Sequence, residues 1–136
     1  MKMDSLKEDS DLLEALLSYA KSNNCKSCWI FGIGALKKAN LAWYNQEKME
    51  YEEKLFDENL EIVSLSGNIS SIENPDSKEN LFPHFHLSLS DRNGNVYGGH
   101  VLPGCKIFVC EICCIQSDGI DKIRKYDKKR GLWLWT

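Results

Sequence analysis

Only one stretch of the chain repeats its hydrophobic positions at three- and four-residue spacing. Between Ser10 and Asn23, the residues Leu12, Leu13, Leu16, Leu17 and Ala20 form one stripe, with Asp9 or Ser10 placed to cap its start and Asn23-Asn24 to stop it. A helix is predicted there. Beyond it the period shortens to two. Cys25 to Phe31 is a short apolar run that predicts a strand ending in a tight turn at Gly32-Ile33-Gly34-Ala35, with a second strand over Ala39 to Asn45. Tyr51 to Phe56 suits one strand of a hairpin, and Leu60 to Ser66 alternates well enough for a central strand punctuated by Gly67-Asn68.

The clearest alternation lies later. From Pro83 to Ser90, Phe85, Leu87 and Leu89 take one face while His84, His86, Ser88 and Ser90 take the other. Asp91-Arg92-Asn93-Gly94 is a hairpin turn, after which Asn95 to His100 runs back antiparallel. Lys106 to Ile115 is a further long strand, and a segment ending Trp133-Leu134-Trp135 completes the chain. Glu73 to Asn80 is polar, contains Pro75 and has no period, which predicts an exposed loop. One helix followed by many strands predicts an α+β fold: residues 1–136 as a single domain with an antiparallel-rich twisted sheet and one main N-terminal helix.

Length and composition agree with that picture. A chain of 136 residues with 43% hydrophobic and 27% charged residues can bury a sizeable core, and its mean hydropathy of -0.39 is that of a globular protein. The longest uncharged apolar stretch, Cys28 to Leu36, contains two glycines and is far short of the roughly 20 residues that span a bilayer. The N-terminus turns acidic at Asp4 and lacks a signal-peptide pattern, so a cytoplasmic location without membrane attachment is expected. In that compartment the six cysteines are expected to be reduced.

Charge is unevenly spread. Residues 1–120 carry 11 Lys and Arg against 18 Asp and Glu, whereas residues 121–136 carry 6 against 2. An acidic body with one short basic run is a weak footprint for duplex DNA, and charge patterning alone assigns Lys122 to Arg130 to a solvated surface. If DNA is a partner, Lys122, Arg124, Lys125, Lys128, Lys129 and Arg130 are the expected contacts.

All three histidines fall between residues 84 and 100 and bracket the predicted turn. A hairpin centred between Arg92 and Asn93 places His86 opposite position 99, which leaves His100 on the other face unless a bulge at Gly98-Gly99 shifts it. With that bulge His84, His86 and His100 converge. Three imidazoles with an open fourth position are the donor set of a catalytic zinc site. The competing reading is a polar strand face whose histidines bond to serines. Glu61 and Glu111 each interrupt an apolar strand and are the candidate acid/base residues, although solvent is the commoner partner for such groups. Asn68 and Asp91 read as turn residues.

The cysteine pairs Cys25-x-x-Cys28 and Cys110-x-x-Cys113 do not read as a zinc knuckle, because strand alternation sends Cys110 and Cys113 to opposite faces. Buried thiols are expected instead. Trp29, Trp43, Trp133 and Trp135 read as core or subunit contacts, and an exposed Trp133-Leu134-Trp135 would favour an oligomer.

The order of these residues resembles a known family. Ile33-Gly34-Ala35, Leu60 to Ser70, Pro83 to Asp91, Gly98-Gly99-His100-Val101, Gly104-Cys105 and Glu111-Ile112 together resemble the PPC domain, conserved in plants and prokaryotes. The resemblance implies a homotrimer and a DNA-binding or regulatory role. Plant members join the domain to an Arg-Gly-Arg-Pro-type hook, which this chain lacks, and their Gly-Arg-Phe-Glu-Ile-Leu contact segment is matched here by Glu58 to Val63 with Glu58 and Asn59 replacing the Gly and Arg. The PPC fold is in turn similar to that of acetolactate decarboxylase, a zinc enzyme, whose ligands would fall on His84, His86 and His100. Two functions therefore stand side by side: a DNA-binding or regulatory trimer with a three-histidine metal site, and a small-molecule zinc-dependent lyase or hydrolase. A site that merely staples the hairpin is a third.

Overall fold

The computed structural model describes residues 1–76, 80–117, 119 and 121–135. In chain order these form β1 (Lys2–Leu6), α1 (Leu12–Ser22), β2 (Cys28–Asn45), β3 (Glu50–Phe56), β4 (Leu60–Ile72), β5 (Leu81–Ser90), β6 (Val96–Val101), β7 (Lys106–Gln116), β8 (Ile123–Asp127) and β9 (Leu132–Trp135). Residues 77–79 of the predicted Glu73–Asn80 loop lie outside the described residues.

Helix α1 forms where the stripe predicts it, but its cap is Asp11 rather than Asp9 or Ser10. The Asp11 carboxylate accepts from the backbone N–H groups of Leu13 and Glu14 at 3.0 and 3.2 Å, and its second oxygen accepts from Gly104 N–H at 2.7 Å. The helix start is thereby tied to the β6–β7 connection. Leu12, Leu16 and Ala20 are fully buried against the strands.

The sheet is built around β2. Two strands separated by a turn were expected over residues 25–45; one strand of 18 residues is found. The Gly32-Ile33-Gly34 segment is extended, with pairing to β4 slipping between Gly32 and Gly34, and pairing to β7 slipping between Ala35 and Lys38. Irregularities of this kind bend a strand and strengthen its twist. The bent β2 takes β4 and β7 along its first half and β3 and β6 along its second. Since β4 pairs with β5, and β5 with β6, the ladder closes into a ring through β2, β4, β5 and β6. All pairings are antiparallel except β4 with β8. The architecture is a mixed, antiparallel-rich sheet with one helix, so the α+β label fits only loosely: strands carry most of the chain.

Strands β1 and β8 were not anticipated. They are short, and their residues lack the apolar alternation that marks a half-buried strand. Strand β4 continues through Gly67-Asn68 instead of ending there. A side chain at Gly67 would collide with the backbone oxygen of His84, so the glycine is needed for close approach of β5 rather than for a turn.

Candidate metal centre

The β5–β6 hairpin fixes the histidines. Asp91 organises its turn as expected, accepting from the backbone of Asn93 and Asn95, the Asn95 amide and the Tyr97 hydroxyl. The register lies one residue away from the predicted one: Ser90 pairs with Val96, and His86 with His100. Directly opposed residues of an antiparallel pair share a face. The imidazoles of His84, His86 and His100 therefore converge without a bulge at Gly98-Gly99. Those glycines serve another purpose, since a side chain at Gly99 would come within 2.8 Å of the Ala42 carbonyl oxygen on β2.

The three ring centroids lie 5.2, 5.2 and 5.6 Å apart, and one nitrogen from each ring lies within 4.8 Å of the other two. Tetrahedral zinc with bonds of about 2.0–2.1 Å places its nitrogens about 3.3 Å apart, which side-chain rotation from this arrangement can supply. His84 and His100 are half-buried and His86 is exposed, leaving the centre open on one side. Burial pushes His84 down to about 4, helped by the Arg124 charge and His86, and burial likewise pushes His100 down to about 4. Both rings are neutral at physiological pH and present lone pairs. His100 Nδ1 is a buried polar atom without a hydrogen-bond partner. Such an atom is costly unless something fills its lone pair, and a cation would do so. The residues present fit a metal of the zinc class.

The surroundings hold what the sequence did not reveal. Arg124, expected in the exposed basic run, is only 3% exposed and so is removed from the set of DNA contacts. Its guanidinium lies between the Phe82 and Trp135 rings at 5.2 and 5.1 Å. It donates to Ser70 Oγ, the Trp133 carbonyl and Asn68 Oδ1 at 3.1, 2.9 and 2.8 Å, and reaches to 3.4 Å from His84 Nδ1. None of these partners is a carboxylate. Asn68 is thus no turn residue: it sits in mid-strand opposite His84 and orients the arginine. Tyr51 stacks on His100 at 4.7 Å. Tyr51, Phe82, Leu132 and Trp133, with His84 and His100, line a cavity of about 150 Å3. Trp133 and Leu134 are half-buried and line this region, while Trp135 stays 39% exposed and donates to Ser70 Oγ at 2.9 Å.

Glu61 and Glu111 do not join the centre. Both are exposed and line a groove with Ile33, Val63 and Val109. Glu61 lies five residues before Ser66, the partner of His86, which is on the order of 15 Å along a strand. Of the other basic residues, Lys125 pairs with Glu73 at 3.0 Å and Arg130 with Asp127 at 2.6 Å, while Lys122, Lys128 and Lys129 are exposed.

Fold and site define a small, sheet-rich domain with a cluster of three imidazoles beside a buried guanidinium. The chain belongs to the family of the Plants and Prokaryotes Conserved (PCC) domain, the PPC domain of the resemblance above, whose model matches residues 3–117. Among solved structures it is similar to a metal-containing protein from Archaeoglobus fulgidus, 33% identical, with a TM-score of 0.89 over 99% of this chain and 91% of that one. It is also similar to a Bacteroides thetaiotaomicron protein provisionally described as DNA-binding, 26% identical, with a TM-score of 0.86 over 98% and 90%. Acetolactate decarboxylase from Bacillus subtilis shares the fold at 16% identity, with a TM-score of 0.59 over 87% of this chain and 53% of that one. Among characterised sequences, the bifunctional protein GlmU of Synechococcus strain JA-3-3Ab is 32% identical over 99 residues, 72% of this chain. The chain spans only 14% of that protein's length. No helix among the described residues is long and apolar enough to cross a membrane.

Proposed function

We propose that this chain is a metal-binding PCC-domain protein in which His84, His86 and His100 hold one zinc-class cation, with Arg124 placed to attract a small anionic ligand to the open coordination position. The convergence of the three imidazoles, with His100 Nδ1 left unpartnered, carries this reading. A cation bound by three histidines acidifies a coordinated water to near-neutral pKa and polarises an oxygen ligand. Arg124 supplies a desolvated positive charge that pairs with no carboxylate among the described residues, and an anion beside the centre would compensate it. The metal-containing relative supports the cation, though not its identity.

The test is elemental analysis of the untagged protein together with a His84→Ala/His86→Ala variant. The parent is expected to hold about one zinc per chain more than a folded variant; equal zinc contents in the two after zinc reconstitution overturn it. A small-molecule enzyme is the natural extension; within one chain Glu61 and Glu111 lie away from the histidines, so they would serve as its acid and base only from a neighbouring subunit. The homotrimer rests on exposed apolar residues of the sheet, Phe31, Ile33, Val63 and Val109, which a subunit contact would cover. A DNA-binding role is favoured by the Bacteroides relative's description, and with Arg124 buried it falls to Lys122, Lys125, Lys128, Lys129 and Arg130.

A further inference from the structure

Outside the histidine centre, the structure brings together three cysteines that sequence spacing does not group. Cys25 lies just after α1, Cys28 opens β2, and Cys114 is on the neighbouring strand β7. Their exposures are 2%, 5% and 3%. The three sulfurs lie within 4.8 Å of one another, with Cys25 Sγ and Cys114 Sγ 3.9 Å apart. Strand alternation excludes Cys113 from the group, as expected, and turns Cys110, Ile112 and Cys114 inward together. A spacing argument confined to the Cys-x-x-Cys pairs misses Cys114, because the third sulfur comes from a strand about 90 residues away, paired in register with β2.

A second observation points to the same place. The Tyr19 hydroxyl on α1 is buried without a hydrogen-bond partner, and burial raises its pKa most, with Cys114, Asp4, Cys25 and Cys28 near enough to add to the rise. A buried hydroxyl normally finds an acceptor, and neutral thiols are weak ones. We propose that Cys25, Cys28 and Cys114 form a second cation site, for one thiophilic ion of the zinc(II) class, with Tyr19 donating a hydrogen bond to a bound thiolate.

The distances suit a metal better than a disulfide. Zinc–sulfur bonds of about 2.3 Å at the tetrahedral angle put sulfurs about 3.8 Å apart, close to the Cys25–Cys114 separation. A disulfide needs about 2.05 Å and would require the same pair to close by nearly half. The chemistry balances without a redox partner: each thiol gives its proton to solvent as its sulfur binds, and three thiolates with a dication leave a single negative charge for the Tyr19 hydroxyl to stabilise. Cys28 also lines a cavity of about 300 Å3 with Ser27, Trp29 and Trp135, which gives an ion a route inward.

The experiment is a cobalt(II) titration of the reduced, metal-free, full-length protein, read by near-ultraviolet thiolate-to-cobalt charge transfer. That signal arises from sulfur ligands and not from histidine. The expected result is a charge-transfer band that saturates at one equivalent, persists in His84→Ala/His86→Ala, is abolished in Cys28→Ser, and disappears on zinc addition. Tyr19→Phe should weaken binding about tenfold, as loss of an outer-shell hydrogen bond does. Cobalt uptake by the parent without charge transfer would show the histidine centre alone to be filled and would overturn the proposal. A disulfide within the trio, seen as a two-hydrogen mass loss in protein that takes up no thiolate-bound cobalt, would overturn it equally. If Cys28→Ser fails to fold, the parent spectrum and its zinc competition still decide.

Discussion

Asp91 shows how one carboxylate can hold a functional hairpin in register. The Asn95 side-chain amide keeps its pKa below the ordinary value, aided by the Asn95 and Asn93 backbone and the Tyr97 hydroxyl, against a smaller opposing effect of burial. A lowered folded-state pKa means that the turn stabilises the protein above the unfolded carboxylate pKa, and that this contribution fades as pH falls through the folded value. Asp91→Asn is therefore expected to melt several degrees below the parent at pH 7, with the gap closing in acid below about pH 4. Thermal melts of both proteins at pH 7 and pH 3 check this; a gap that is constant with pH would show that the carboxylate charge is irrelevant. Asp91 was legible in the sequence because its partners lie within six residues. Arg124 was not, because in sequence it is one cation in a basic run. What buries it is supplied by Asn68 and Ser70, more than 50 residues earlier. Asn68 was misread for the same reason: beside Gly67 it looks like a turn, and only the long-range pairing with His84 reveals a mid-strand residue.

At the level of elements, the strict alternation of β5 made the histidine face readable. The face of a strand is set by its own sequence, whereas register is set by the turn. The predicted centre of the Asp91–Gly94 turn was off by half a residue, enough to send His100 to the wrong side and to call for a bulge that does not exist. The long β2 strand failed differently, since two glycines in three residues read as a chain reversal when nothing local shows that β4 and β7 flank them closely. At Gly32 a side chain would stand 2.8 Å from the Glu111 carbonyl oxygen, so glycine there answers to crowding. Gly67 offers the test of how strand approach controls the centre. Gly67→Ala forces β4 from β5 at the His84 backbone and should cost about 1–3 kcal/mol. Metal affinity should fall with it, because His84 moves relative to His100. Denaturant melts and zinc titration of this variant measure the two effects. Stability lost with affinity intact would mean that the hairpin travels as a rigid unit.

Across the whole molecule, the core and the polar chemistry take opposite faces of β4 and β5. Leu65, Ile69, Phe85, Leu87 and Leu89 are buried between sheet and helix, while His84, His86, Asn68 and Ser70 leave the opposite face of the same two strands. A second region of the sheet carries Phe31 at 44%, Ile33 at 57%, Val63 at 52% and Val109 at 44% exposure, too much apolar surface in one place to need no cover. Ile33→Asp should convert the proposed trimer to monomer with little change in circular dichroism, as sedimentation equilibrium would show; a parent that sediments as a monomer removes the trimer. The arrangement of β8 also has a consequence for the order in which the protein folds. The hairpin bearing the histidines is complete by residue 101, whereas Arg124 arrives with β8 and is closed over by β9. During folding the imidazoles can therefore come together before β8 and β9 dock the guanidinium beside them. Assembly of the proposed metal ligands can thus precede placement of the charge beside them.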